Sequence, residues 1–331
     1  MIKWGVIGTG HMANIFAESI QETDNAKLVA VSSRTKKSLE IFGDRFNIKE
    51  SLRFISNEEI CKREDIDAIY ISTLNNTHFD LIKLCAINKK NILCEKSFCL
   101  NLNEAKELQK IIIINKVMFF EAIAYLSHPQ TSVILDLVNN DEIGEIISIE
   151  STFGFKVRKI DPESRLFNKK LGGGAILDVG CYPMSFISLF LENENKIVFN
   201  EIDGEIYHTN VDIAASANIT INDKIQCKIK ISLKEYFKNN SIIKGTKGSM
   251  IVGFPWLPEK KVFLEIHNKS RYYKSFVHSD LSVYANQIKN VSNKFLKNNN
   301  NKSRLFDISK SLENMTYLDH WMQSINKISK T

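Results

Sequence analysis

The segment KWGVIGTGHMA, close to the start of the chain, constrains the fold more than any other feature. Gly8, Gly10 and Ala13 give the spacing G-x-G-x-x-A where an apolar run meets a helical pattern. In such a turn the first glycine permits the tight bend, the second lets backbone approach a pyrophosphate, and the small third residue packs helix against strand. The segment predicts a dinucleotide site at a helix N-terminus, with contacts from Gly8, Gly10, His11 and Met12. This spacing of small residues alone is equally compatible with a merely structural turn.

Short apolar runs alternate with helical patterns between Ile2 and Glu121, which is typical of a parallel sheet with crossover helices. The predicted strands span residues 3–7, 28–32, 68–73, 91–95 and 117–120. The predicted helices begin near residues 11, 35, 77 and 103. Residues 1–121 are therefore predicted to form a doubly wound nucleotide-binding domain of the α/β class.

After residue 121 the pattern changes to one dominated by strands. Helices are predicted over 131–139, 174–191, 279–297 and 303–328, and the lysine- and asparagine-rich stretch 294–302 predicts a surface loop. The predicted strands span residues 145–155, 202–208, 214–221, 225–233, 241–245, 249–252 and 262–266. Successive strands with period-two alternation favour a large, mainly antiparallel open sheet, so residues 122–331 are predicted to form an α+β substrate domain.

Composition excludes several classes of protein. The 331 residues carry 44 basic and 38 acidic side chains, and no basic run is interleaved with aromatics as a nucleic-acid groove requires. The first strand follows Met1 without a basic leader, and the isoleucine run 111–114 is too short to span a bilayer. Six cysteines show no metal-ligand spacing. We expect a cytoplasmic protein with a small-molecule partner, without a metal, a nucleic-acid partner or a membrane partner.

The end of the second predicted strand bears on the choice of cofactor. The acidic residue that normally accepts the ribose 2′-hydroxyl is missing, and Ser33 and Arg34 stand there instead. A guanidinium forms bidentate, charge-assisted bonds with a 2′-phosphate, which favours NADP. NAD stays open, because arginine also stacks on adenine, and Arg34 as an ordinary exposed residue is a third interpretation.

The stretch AIYISTLNNTHFDLIKLCAINKKNILCEKSFCL, residues 68–100, ends in Glu95-Lys96 and resembles the Gfo/Idh/MocA family of oxidoreductases. Further landmarks follow in family order: EAIAYLSHPQ at 121–130, GGGAILDVGCYP at 172–183 and GTKGSMIV at 245–252. The resemblance is nearest to the dimeric dihydrodiol-dehydrogenase-like branch. It implies a Rossmann domain, NADP or NAD, and hydride transfer between nicotinamide and a carbinol or carbonyl carbon of a sugar, sugar derivative or cyclic diol.

The resemblance also implies roles for individual residues. Lys96, Asp178 and Tyr182 match the family's catalytic positions, and Asp178, Tyr182 and His128 become candidate substrate contacts. Asp178 and Tyr182 are four residues apart in a predicted helix, so they share one face. Tyr182 could exchange the hydroxyl proton, with a pKa lowered from about 10 by a neighbouring ammonium, and Lys96 could polarise the carbonyl oxygen. The implied cofactor contacts in this part of the chain are Thr73, Asn75, His78, Glu95 and Lys96.

Two departures from the family pattern concern the site. Ser97 replaces the proline that usually follows the lysine, so one backbone constraint on the aim of Lys96 is missing. Leu126 and Ser127 stand where an arginine often precedes His-Pro, which leaves the substrate open.

Two alternatives to an exchanging dehydrogenase remain at this point. One is a dinucleotide-sensing regulator without catalysis, and the other is an oxidoreductase whose NADP does not exchange. For all three functions, an open sheet has a face or an edge that self-association would bury, which predicts a homodimer or homotetramer.

Overall fold

The computed structural model describes residues 1–191, 196–268, 271–297 and 304–328. The chain forms two compact units, the first made of Met1–His128 and Asp280–Leu312 and the second of Pro129–Ser279 and Glu313–Thr331. Most of the predicted surface loop 294–302 and the predicted helix start at residue 303 lie outside the described residues. No helix in the described part of the chain combines the length and apolar character needed to cross a membrane.

Strands and helices are numbered in chain order. The strands are β1 (Ile2–Ile7), β2 (Ala26–Ser32), β3 (Arg53–Phe54), β4 (Ala68–Ile71), β5 (Asn91–Cys94), β6 (Phe119–Glu121), β7 (Ile146–Gly154), β8 (Ile197–Ile206), β9 (Asp212–Ile221), β10 (Ile225–Ser232), β11 (Asn240–Gly245), β12 (Gly248–Gly253), β13 (Lys261–Asn268), β14 (Tyr272–His278) and β15 (Phe306–Asp307). The α-helices are α1 (His11–Ser19), α2 (Lys36–Arg45), α3 (Asn57–Lys62), α4 (His78–Ile87), α5 (Leu102–Asn115), α6 (Pro129–Asn139), α7 (Cys181–Ser188), α8 (Val283–Phe295) and α9 (Ile308–Ile328). Short 3₁₀ helices occupy Ile20–Glu22, Glu50–Leu52, Asn75–Thr77, Ala124–Ser127 and Lys169–Leu171.

The first unit contains a seven-stranded sheet in the order β15-β6-β5-β4-β1-β2-β3. Its strands pair in parallel, except that β15 runs antiparallel to β6. The central strands β4 and β5 are almost wholly buried, as expected for strands covered on both faces. The predicted doubly wound α/β fold is confirmed, and only the two-residue strands β3 and β15 and the short helix α3 were not predicted.

Helix α8 explains why the first unit includes a segment from near the C-terminus. The Trp4 indole N–H in β1 donates to Ser292 Oγ at 3.1 Å, and the ring centroid of Trp4 lies 5.5 Å from that of Phe295. The Asn25 side chain donates to the Lys289 carbonyl oxygen at 2.9 Å. The sequence predicted one boundary after residue 121, whereas the structure returns Asp280–Leu312 to the first unit, because the apolar face of α8 packs on its core.

Replacement of Ser292 by alanine is expected to destabilise the first unit. The change removes the acceptor for the fully buried Trp4 indole, and an unsatisfied buried donor costs about 1–3 kcal/mol. The midpoint of thermal unfolding should fall by roughly 2–4 °C per kcal/mol in scanning calorimetry. Ser309→Ala, at an exposed position of α9, is the matched control and should leave the midpoint within about 1 °C. Equal midpoints for the two variants would contradict the role of this hydrogen bond.

The second unit contains an eight-stranded sheet in the order β14-β13-β12-β11-β7-β10-β9-β8. All neighbouring strands are antiparallel except β7 and β10. Along β9, buried and partly buried residues alternate, so one face of the sheet lies against the core. The predicted mainly antiparallel sheet is confirmed. Strand β14 was not predicted, because it lies at the edge of the sheet and buries only Val277.

Candidate active site

The glycine turn joins β1 to α1, as predicted. Gly8 has φ +103°, and a Cβ there would lie 3.0 Å from Ser72 Oγ and 3.2 Å from the Ser72 carbonyl oxygen. Gly10 is the N-cap of α1, without a side-chain cap, and a Cβ placed on it would have nothing within 4 Å. The turn therefore needs glycine at Gly8 and leaves open space at Gly10, which fits close approach of a pyrophosphate to a helix N-terminus. His11 is exposed and Met12 half-buried in the first turn of that helix.

The end of β2 lies beside this turn. The Ser33 and Thr9 hydroxyl oxygens are 3.1 Å apart, so a hydrogen bond joins the strand end to the glycine turn. Arg34 is exposed, and its guanidinium forms no ion pair within the described residues. Arg34 directly follows Ser33 in sequence, and its predicted contact with an anionic group on a ribose stays a prediction.

The loop before α4 is held by its own side chains. The Thr73 and Thr77 hydroxyl oxygens lie 2.6 Å apart. Asn75, between these two residues in the sequence, is half-buried. His78 is fully buried, with Nε2 3.1 Å from the Thr73 carbonyl oxygen and Nδ1 2.9 Å from the Ser97 carbonyl oxygen. Burial lowers the pKa of His78, and the two carbonyl groups act against that shift. His78 thus anchors two backbone segments, a role the sequence did not reveal, and its predicted cofactor contact stays a prediction.

The Glu95-Lys96 pair directly follows β5. Glu95 is buried, and its carboxylate accepts from the Tyr70 hydroxyl at 2.6 Å and from the Lys96 backbone N–H at 3.3 Å. Lys96 is half-buried, and the Lys96–Ser97 peptide bond is cis. The pKa of Tyr284 rises to about 12 through burial and the charge of Glu95, while Lys96 acts to lower it. Lys96 therefore lies in a cluster of buried ionisable groups within the first unit, as active-site residues commonly do.

In the second unit, the predicted helix with Asp178 and Tyr182 begins irregularly. Ile176–Gly180 forms one turn of π-helix before α7, so the spacing of four spans a change of helix type that the prediction did not include. Such turns are frequent at functional sites. Asp178 is buried and accepts from Arg165 Nη1 at 2.9 Å. Tyr182 is half-buried and packs edge-on against Phe153, with ring centroids 5.4 Å apart.

Asp212 anchors the start of this helical segment and was missed in the sequence. Its carboxylate accepts from the Ile176 N–H at 2.6 Å, and a Cβ on Gly174, which has φ +126°, would lie 2.4 Å from Asp212 Oδ1. Burial raises the pKa of Asp212 to about 7, whereas hydrogen bonds from the backbone N–H groups of Ile176, Asp212 and Ala175 act to lower it. An aspartate at the start of a strand with alternating buried residues was the available signal, since a buried carboxylate needs such partners.

His128 is the last residue of the first unit and is buried, as are its neighbours Leu126 and Ser127. Its predicted contact with substrate therefore stays a prediction. Among the described residues, no group of three or more His, Cys, Asp or Glu side chains is placed to hold a metal ion.

Comparisons with known proteins agree with this geometry. The family model described as "Oxidoreductase family, NAD-binding Rossmann fold" matches residues 2–122, and the GFO/IDH/MocA C-terminal domain matches residues 133–251. The trans-1,2-dihydrobenzene-1,2-diol dehydrogenase of Xenopus laevis is 30% identical over 259 residues, which cover 77% of each chain.

Two solved structures share the fold across nearly the whole chain. The 3-ketoreductase KijD10 from Actinomadura kijaniata, in complex with NADP and TDP-benzene, has a TM-score of 0.84 at 20% identity over 96% of both chains. The aldose-aldose oxidoreductase from Caulobacter crescentus, complexed with glycerol, has a TM-score of 0.88 at 16% identity over 98% of both chains. With the two family domains matched in order and a relative at 30% identity, the chain belongs to the Gfo/Idh/MocA family of NAD(P)-dependent oxidoreductases.

Proposed function

We propose that this oxidoreductase interconverts a hydroxyl-bearing carbon and a carbonyl carbon of a sugar, a sugar derivative or a cyclic diol, with NADP as the preferred cofactor. The observation that carries the proposal is the half-buried Lys96 beside the buried Glu95 at the end of β5, in the same sheet as the glycine turn. Ligands of doubly wound sheets bind at the carboxyl ends of the strands, where both features lie. The names of the relatives, a diol dehydrogenase, a 3-ketoreductase and an aldose oxidoreductase, support the substrate class.

The cofactor would be held by the first unit. The backbone around Gly8 and Gly10 with the first turn of α1, through His11 and Met12, would bind the pyrophosphate. Ser33 and Arg34 would bind the 2′-phosphate. The loop with Thr73 and Asn75 would also contact the cofactor. When bound, the nicotinamide accepts or donates the hydride.

Side chains of the protein would bind the substrate oxygen and exchange its proton. The Lys96 ammonium would donate a hydrogen bond to the substrate oxygen and stabilise negative charge on it in the transition state. Tyr182 would take the hydroxyl proton as the carbonyl forms and return it in the reverse direction. Asp178, held by Arg165, would accept a hydrogen bond from a substrate hydroxyl and so orient the substrate.

The proposed activity can be tested with purified protein and a panel of aldoses, ketoses, inositols and cyclic diols, each with NADPH or NADP. Turnover of any panel member, followed at the nicotinamide absorbance, is the expected result. Binding of NADPH without turnover on the whole panel would favour a dinucleotide-sensing regulator. Nucleotide released only on denaturation would indicate cofactor that does not exchange.

Arg34→Ala is expected to lose the preference for NADPH over NADH. A charge-assisted hydrogen bond contributes about 1.5–3 kcal/mol, so the Kd for NADPH should rise roughly 10- to 150-fold. The Kd for NADH should change less than about threefold, since NADH has no 2′-phosphate. Fluorescence titration of the reduced nicotinamide measures both constants, with Arg158→Ala, an exposed arginine of the second unit, as control. Equal losses for the two nucleotides would exclude a 2′-phosphate contact.

We also propose a cytoplasmic homodimer or homotetramer. All six cysteines are buried free thiols, which fits a reducing compartment. The outer face of the second unit's sheet exposes Phe263 and Phe276, paired across β13 and β14, and self-association is a common way to cover such a face. Light scattering on the purified protein gives the mass of the assembly.

A further inference from the structure

Glu121 is a buried carboxylate at the end of β6 that the proposed chemistry does not use. It is 4% exposed, and its backbone pairs with Cys94 of β5 on one side and Phe306 of β15 on the other. Burying a carboxylate is costly unless hydrogen bonds or opposite charges offset the lost solvation. We therefore expect the contacts of Glu121 to show why a carboxylate is buried here.

The contacts of Glu121 lead to the segment that follows Lys96. Glu121 Oε1 accepts from the Phe98 backbone N–H at 3.2 Å in a buried hydrogen bond. Its second oxygen, Oε2, is buried without a hydrogen-bond partner among the described residues. An apolar side chain would be cheaper to bury if packing alone were needed. An acceptor oxygen at this position is thus better explained by its hydrogen bond to the turn formed by residues 96–98.

The charge of Glu121 responds to the same neighbours. Burial raises the pKa of Glu121 to about 7, and the charge of Glu95 adds to the rise. The Ser311 hydroxyl, the Phe98 N–H and the Lys96 charge act to lower it. Ionisation strengthens the bond from Phe98, because a charged acceptor binds an N–H about twice as strongly as a neutral one.

Ser97 gives the turn no ring to restrict its backbone, so side chains must fix it. His78 lies against the Ser97 carbonyl oxygen and Glu121 accepts from the next N–H, so the two side chains hold consecutive residues of the turn. We propose that Glu121 is a positioning residue that aims Lys96 by anchoring the Phe98 N–H. The inference rests on the proposed function of Lys96, and it adds a residue that does not itself contact substrate.

Two variants separate positioning from folding. Glu121→Leu removes the acceptor, whereas Glu121→Gln keeps an acceptor oxygen but cannot ionise. In Glu121→Leu we expect amide hydrogen exchange at Phe98 to accelerate at least tenfold and kcat to fall at least tenfold, with the Kd for NADPH within about twofold of wild type. Glu121→Gln should restore kcat to within about threefold of wild type. Asp319→Leu, which replaces a buried carboxylate in the second unit, is the control and should change neither exchange nor kcat.

A pH profile provides a readout that a purely structural role would not change. The wild-type kcat should rise as Glu121 ionises around pH 7, and the Gln variant should lack this step, which is informative even if the Leu variant fails to fold. Unchanged Phe98 exchange and kcat in Glu121→Leu, or an unaltered pH step in Glu121→Gln, would overturn the proposal. The exchange measurement needs no substrate. It therefore tests the anchor even if Lys96→Met retains turnover, which would count against the proposed function and not against the hydrogen bond.

Discussion

Lys96→Met is expected to lower kcat/KM by about 10²–10³-fold, the usual cost of losing one donor to a developing oxyanion. Methionine keeps an unbranched stem of similar length, so packing is preserved while the ammonium is lost. The Lys96 charge acts to lower the pKa of both Glu121 and Tyr284, so the ammonium lies near these two groups. Steady-state kinetics on whichever panel substrate is turned over would measure the effect.

A matched control separates this effect from a change in surface charge. Lys83 is exposed on α4 of the same unit, and Lys83→Met should retain kcat/KM within about twofold. The Kd for NADPH should stay within about threefold in Lys83→Met. If Lys96→Met kept the kcat/KM of the control, Lys96 would have no catalytic role.

Tyr182→Phe is expected to reduce kcat by about 10²–10⁴-fold, the contribution typical of a positioned general acid or base. The change removes only the hydroxyl, because the ring packs edge-on against Phe153 and lies with its centroid 6.2 Å from that of Trp256. The fold and the unfolding midpoint should therefore be preserved. KM should change little, since the proton moves only in the chemical step.

Tyr207→Phe is the control for this variant. Tyr207 is also half-buried in the second unit and packs edge-on against Phe167, with centroids 5.8 Å apart. It should retain the wild-type kcat. Similar small losses in Tyr182→Phe and Tyr207→Phe would show that another group exchanges the proton.

Local patterns were enough to predict much of this protein. Gly8 and Gly10 follow a short apolar run, and the spacing of these neighbouring residues was enough to predict the turn and the helix after it. Alternation of apolar and polar residues with period two, which is also a local property of the sequence, predicted most strands of the second sheet. The order of the motifs around Lys96 and Tyr182 identified the family, which the comparisons confirmed.

Only the tertiary structure decided how the candidate groups are held. His78 anchors Ser97, Glu121 anchors Phe98, and Asp212 anchors Ile176, each across 19 to 36 positions of sequence. Ser292 meets Trp4 across 288 positions, which places α8 in the first unit. Sequence periodicity reports which face of an element is apolar, but not which distant polar group it meets. The fold class and the candidate chemistry were therefore readable from the chain, whereas the contacts that position the chemistry depend on long-range packing.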